Sequence, residues 1–221
     1  MLSERLYSKR FAFWEVCPDI AEIKLFLKAP EIEEDHPVNQ AIREILPLLD
    51  DNPGIAGGYK LYNTEDLSLD TGSQIRGYMK GASYLALFTC TAGKLFSELT
   101  GRYNKEGNYL EAFVADAIGS LTVENAMNTI QAHLEAKMKE EGLNISNRYS
   151  PGYCNWPLIG QAALFGYMRD IPVDVSLTES CLMLPIKSVS GIIGVGTHIK
   201  KKAYACKICK NKNCTYRKLI Q

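Results

Sequence analysis

The sequence predicts an α+β fold: a mostly antiparallel, twisted sheet with flanking helices. Three observations lead there. The chain has 221 residues, of which 46% are hydrophobic and 23% charged, the composition of an ordinary globular protein long enough to bury a core without disulfide staples. Residues 108–141 carry one long helical period. Strand-like and helix-like runs do not alternate strictly, as a doubly wound parallel sheet would require.

The elements follow in order. The first 35 residues mix apolar and charged side chains and end in an acidic stretch from Glu31 to Asp35. His36-Pro37 opens a helix, with Val38, Ile42, Ile45 and Leu49 spaced by three and four. Asn52-Pro53-Gly54 signals a turn, and Tyr59 to Tyr62 a short strand. Residues 71–80 form a short helix with Thr71 or Ser73 as cap, ended near Gly81. The apolar run from Ser83 to Thr91 is a buried strand, and a helix follows over 94–102. In the long helix, Leu110, Phe113, Val114, Ala117, Ile118, Leu121, Ala126, Ile130 and Leu134 make the apolar face. Gly142 ends it, Lys137 and Lys139 suit its negative end, and Gly119-Ser120 marks an interruption. Arg148 to Tyr153 reads as a loop and Pro157 to Arg169 as a helix with proline in its first turn. Val173 to Val195 reads as two strands broken around Pro185 to Ser188. The expected organisation is one domain over 1–202 and a basic, Cys-rich tail over 203–221.

Charge is distributed unevenly. The net charge is zero, from 25 basic and 25 acidic residues, which argues against a nucleic-acid or membrane-surface binder. The last acidic residue is Glu179, however, and nine Lys/Arg follow it, so residues 180–221 are formally +9 and the rest −9. The start of the chain lacks the apolar core of a secretory signal, and no run of about 18 apolar residues exists to span a membrane. A reducing cytoplasm is the expected compartment, where clustered cysteines mean metal or redox chemistry more often than disulfides.

Two segments carry the most specific signal. One is Arg148-Tyr149-Ser150-Pro151-Gly152-Tyr153. The other is Leu177-Thr178-Glu179-Ser180, followed by Met183, Pro185 and Ser188-Val189-Ser190-Gly191. A guanidinium grips a carboxylate with two parallel bonds, and Pro-Gly lets the backbone turn tightly against a ligand. In order and separation these segments resemble the activation (reactivation) domain of cobalamin-dependent methionine synthase, from about Asp116 to Tyr204.

The resemblance implies a stand-alone activation-domain-like protein that binds S-adenosylmethionine. It supports reductive methylation of a cobalamin held on a partner, either a corrinoid-binding protein or the core of a split methionine synthase. A flavodoxin-like reductant supplies the electron. The resemblance places Arg148 on the ligand carboxylate and the backbone of Tyr149 and Ser150 near its amino-acid end or adenine. Pro151 and Gly152 then form the turn, and Tyr153 lines the methyl-transfer side, where an aromatic ring tolerates a sulfonium. Glu124 on the long helix accepts from the ligand ammonium, and Tyr204 stands where the family closes over the ligand with a tyrosine pair. No Asp-x-His-x-x-Gly cobalamin signature occurs, so the corrinoid has to come from the partner. The Leu-Thr-Glu-Ser segment is scaffold, and His133 is structural.

In the tail, Cys206, Cys209 and Cys214 have metal-ligand character. Zinc or an iron–sulfur cluster needs a fourth ligand, for which Cys154, Cys181 and His198 are candidates. The rival functional reading is a non-enzymatic metal-binding or partner-docking module built on this tail.

Overall fold

A single 32-residue helix runs beneath a five-stranded antiparallel sheet in the computed structural model, which describes residues 5–201. The strands are β1 (Leu6–Arg10), β2 (Ala56–Asn63), β3 (Tyr84–Thr91), β4 (Asn144–Tyr149) and β7 (Ser188–Gly196). Their order is β1-β2-β3-β7-β4, and every neighbouring pair is antiparallel. β5 (Ser176–Leu177) and β6 (Met183–Leu184) form a separate two-stranded ribbon. The α+β expectation holds.

The helices are α1 (Phe13–Val16), α2 (Ile20–Phe26), α3 (Pro37–Ile45), α4 (Gly72–Tyr78), α5 (Leu95–Glu106), α6 (Tyr109–Glu140) and α7 (Gly160–Tyr167). One face of the sheet packs on α6, with α1, α2, α3 and α5 around it. This core includes Ile42, Ile45, Phe88, Phe96, Ile118 and Ile130. The other face is covered by α4, α7 and the segments on either side of α7, through Ile75, Trp156, Leu164 and Ile171. Removing an Ile or Phe side chain from water contributes roughly 1.5–3 kcal/mol, so these two layers dominate stability.

Several sequence expectations need correction. α6 shows no break at Gly119-Ser120, because Gly119 is buried with Phe96 packed where its Cβ would stand. A glycine there serves close packing between helices. α7 begins at Gly160 rather than at Pro157, since residues 157–162 first make successive i→i+3 turns. β2 is longer than residues 59–62, and α5 extends to Glu106, where Gly107 (φ 81°) ends it. The first 35 residues contain β1, α1 and α2, elements too short for a periodicity argument.

β4 carries the decisive irregularity. Its register against β7 shifts between Ile145 and Arg148. There the Gly194 N–H donates to Ser146 Oγ (2.8 Å) instead of to a carbonyl. Strand side chains alternate faces, so Ile145 and Arg148, three apart, ought to point oppositely. The bulge inserts the extra residue that brings both to the α6 face. Tyr149 then faces the other core, stacked on Tyr78 with ring centroids 5.3 Å apart.

Candidate functional site

Three cations lie along one stripe of α6. Lys201 Nζ pairs with Glu135 (2.6 Å), Arg148 Nη2 with Glu124 (3.1 Å), and Lys187 Nζ with Asp116 (2.7 Å). Residues 116, 120, 124, 128 and 135 recur at helical spacing, so they share a face. Arg148 Nη2 also donates to Asn128 Oδ1 (3.0 Å), and Lys187 Nζ to Ser120 Oγ (2.9 Å). Asn128, Ser120, Asp116 and Lys187 were not singled out from sequence. The i±4 and i−8 spacing from Glu124 would have found the three helical ones.

Arg148 sits on β4, not in a loop, and its side chain is 17% exposed. Its Nη1 is buried and has no hydrogen-bond partner among the described residues. A buried guanidinium nitrogen without an acceptor costs free energy, about 1–3 kcal/mol or more for a charged group. Glu124 alongside is 31% exposed. The pair therefore holds a buried, unused donor beside a partly solvated carboxylate.

The chain turns sharply after β4. Tyr153 N–H donates to Ser150 O (3.2 Å), Trp156 N–H to Tyr153 O (2.9 Å) and Gly152 N–H to Trp156 O (2.8 Å). Gly152 has φ 90°, a conformation that favours glycine. Pro151 is buried, whereas Tyr153 is 67% exposed. Across from this turn, a Cβ on Gly191 of β7 would overlap the Tyr149 carbonyl oxygen and lie 2.9 Å from Ser150 Oγ. Glycine at 191 is what lets the end of β4 close down on β7. The Pro185–Lys187 connection enters β7 at this same end of the sheet, and Lys187 ties it to α6.

Two buried groups near the site stay protonated. Burial pushes the Cys90 thiol up to about 12, Glu124 pushes the same way and Arg148 opposes. Cys90 is therefore no nucleophile at neutral pH. Burial also pushes the Tyr149 phenol up to about 12, with Tyr78 and Cys154 adding to it. A raised acid pKa stabilises the fold below the unfolded value near 10, and that contribution is lost as pH rises through 12. Tyr149→Phe is expected to remove a stability loss on the order of 2 kcal/mol between pH 10 and 12. Urea midpoints of both proteins across that range check it.

The structure brings Glu124 and Arg148 together and places Tyr149, Ser150, Pro151, Gly152 and Tyr153 on one strand end and turn. The Tyr149 ring is on the opposite face of the sheet. Tyr204, Cys206, Cys209 and Cys214 lie outside the described residues. Among the described residues, no group of three or more His, Cys, Asp or Glu side chains is placed to hold a metal ion. No described helix is long and apolar enough to cross a membrane. His133 is stacked on Tyr7 (3.5 Å between centroids) and bonded to the Tyr59 hydroxyl (3.2 Å), a packing role. In the Leu-Thr-Glu-Ser segment, Thr178 Oγ1 accepts from Leu182 N–H (3.1 Å), which closes the β5–β6 ribbon. A broad hollow of about 520 Å³ on the outside of α5 includes none of these residues.

Residues 74–218 match the family model for the activation domain of vitamin B12-dependent methionine synthase, about two thirds of the chain. The chain belongs to this activation-domain family. The match contains Glu124 and the whole segment from Arg148 to Tyr153, and begins well before Asp116. Among solved structures, the activation domain here is similar to a crystal structure of the MetH reactivation domain bound to AdoHcy. The identity is 16% and the TM-score 0.58, covering 90% of this chain and 80% of that one. That likeness establishes the fold and extends it to the N-terminal elements outside the family match. Comparison with curated proteins found no match.

Proposed function

We propose that this activation domain binds S-adenosylmethionine between α6 and the end of β4, and serves a cobalamin carried by a partner protein. The observation that carries the reading is the buried Arg148 Nη1, which has no partner among the described residues, beside Glu124. S-Adenosylmethionine brings a carboxylate to accept from the guanidinium and an ammonium to donate to the glutamate. The AdoHcy in the similar solved structure supports this, since AdoHcy is the same molecule without the transferred methyl.

When bound, the ligand supplies an electrophilic methyl group, and the partner's cobalamin supplies the acceptor. The residues of this chain bind and orient. Arg148 holds the carboxylate and keeps Asn128 as its second anchor. Glu124 takes the ammonium. The backbone around Tyr149 and Ser150 meets the ligand's amino-acid end or adenine, and the buried Pro151 and left-handed Gly152 fix the turn. Exposed Tyr153 flanks the sulfonium, where its ring face favours a cation. Tyr204, outside the described residues, is the proposed closing contact. Positioning of this kind is the protein's main contribution to a group transfer. A separate corrinoid protein, as in a split methionine synthase, and a flavodoxin-like electron donor complete the proposed system.

Calorimetric titration of the full chain with S-adenosylmethionine tests the reading. Saturable heat near one ligand per chain is expected, and no heat at millimolar ligand contradicts it.

A further inference from the structure

Two aromatic side chains of α6 stand in water one helical turn apart. Tyr109 is 70% exposed and Phe113 60%. The apolar period of α6 assigns Phe113 to the buried face, but the structure turns it outward. Positions 109, 113, 120 and 124 follow at intervals of four, seven and four, so both rings lie on the stripe that carries Ser120 and Glu124. The connection into β7 adds a third apolar group. The Lys187 stem rests on Gly119, its Cγ 3.1 Å from where a Cβ would stand, and its Nζ reaches Asp116 and Ser120. Ile186, the residue before it, is 66% exposed. Asp116, one turn from Phe113, and Lys187 neutralise each other, so the pair adds no net charge to this surface.

The surface adjoins the place where a methyl group would be handed over. β4 starts at Asn144, just after α6 ends, and by Arg148 has run back to the level of Glu124 and Asn128. The turn from Ser150 to Tyr153 therefore stands at the end of the sheet that faces the N-terminal half of α6, where Lys187 also meets it. A partner that brings a cobalt atom to a methyl held here has to place the reacting atoms about 3–3.5 Å apart. Its surface then covers the surroundings. A standard contact of about 800 Å² per partner is a disc of roughly 16 Å radius. Measured along α6 from Ser120, Glu124 lies about 6 Å away, Phe113 about 10 Å and Tyr109 about 16 Å. One such disc takes in the ligand carboxylate of Glu124 and both rings.

We propose that Tyr109 and Phe113, flanked by Ile186, form the docking surface for the cobalamin-carrying partner, which meets them with an uncharged, apolar rim around its corrinoid. This rests on the S-adenosylmethionine reading above. The rings supply the affinity, because buried aromatic side chains dominate contacts of this kind. The single helix that bears both rings and Glu124 fixes their distance from the held methyl. An apolar contact beside an internally paired Lys187 and Asp116 releases no charge on association, so its strength changes little with salt.

The test pairs the full chain with the core of a vitamin B12-dependent methionine synthase that lacks its own activation domain and carries Co(II) cobalamin. Calorimetry with S-adenosylmethionine present reads their association. Phe113→Asp is expected to weaken it about 30-fold and Tyr109→Ser about tenfold, the losses typical of central aromatic contacts, whereas Phe113→Leu stays within about threefold of wild type. Wild-type association is expected to change less than about threefold between roughly 0.05 and 0.5 M salt. Each variant, titrated with S-adenosylmethionine alone, is expected to bind it as wild type does. Failure of the ligand reading shows in that second titration, as absent heat with the wild-type chain. Failure of the docking surface shows in the first. No association of the wild type, undiminished association of Phe113→Asp, or a wild-type dimer in sedimentation that Phe113→Asp dissolves overturns the proposal.

Discussion

Arg148→Ala is expected to weaken S-adenosylmethionine binding by about 100-fold while leaving the fold near wild-type stability. Hydrogen bonds to charged groups contribute roughly 1.5–3 kcal/mol each, and a guanidinium makes two to one carboxylate. Arg148→Lys is expected to recover little, because an ammonium lacks the planar fork that reaches both Glu124 and the ligand. Stability is spared because Arg148's partners are half-buried Glu124 and exposed Asn128, which water satisfies once the guanidinium is gone. Calorimetry gives the affinity, and a thermal melt of the same sample gives the fold. Equal affinity in wild type and Arg148→Ala would remove Arg148 from the site.

Phe88→Ala is expected to cost about 3–5 kcal/mol, the range for deleting a buried aromatic side chain. Phe88 is 1% exposed on β3, within the core against α6. It pairs with Gly191 on β7, and its ring tip lies 2.8 Å from where a Gly191 Cβ would be. The ring therefore covers the glycine that lets β4 close on β7. Its loss leaves a cavity under the strand end that positions Ser150. Urea unfolding reads the stability change, and a midpoint shift equivalent to less than about 1 kcal/mol would contradict this packing account.

Much of the candidate site's placement was legible because it is local. The turn residues Pro151 and Gly152 adjoin Arg148, and Glu124 occupies the apolar-patterned helix at a position its neighbours fix. The long helix was legible from period alone, and the α+β class from element order. What sequence could not reveal was the bulge at Ser146. A bulge depends on the register of β4 against β7, so nothing local announces that Arg148 faces α6. Lys187 escaped for the same reason, since its partners Asp116 and Ser120 lie 71 and 67 residues away in sequence. Gly119 misled in the other direction: an apparent helix breaker is a contact point for Phe96. α1 and β1 were invisible because four or five residues hold too little periodicity to register against their surroundings.

The central claim is that this domain presents S-adenosylmethionine to a cobalamin on another protein. One measurement tests it most directly: the absorbance of a Co(II) corrinoid protein incubated with S-adenosylmethionine and a one-electron reductant, with and without this chain. The account predicts that the methyl-Co(III) spectrum forms at a rate proportional to added chain and fails to form with Arg148→Ala. Formation at the same rate without the chain, or with Arg148→Ala as with wild type, would contradict it.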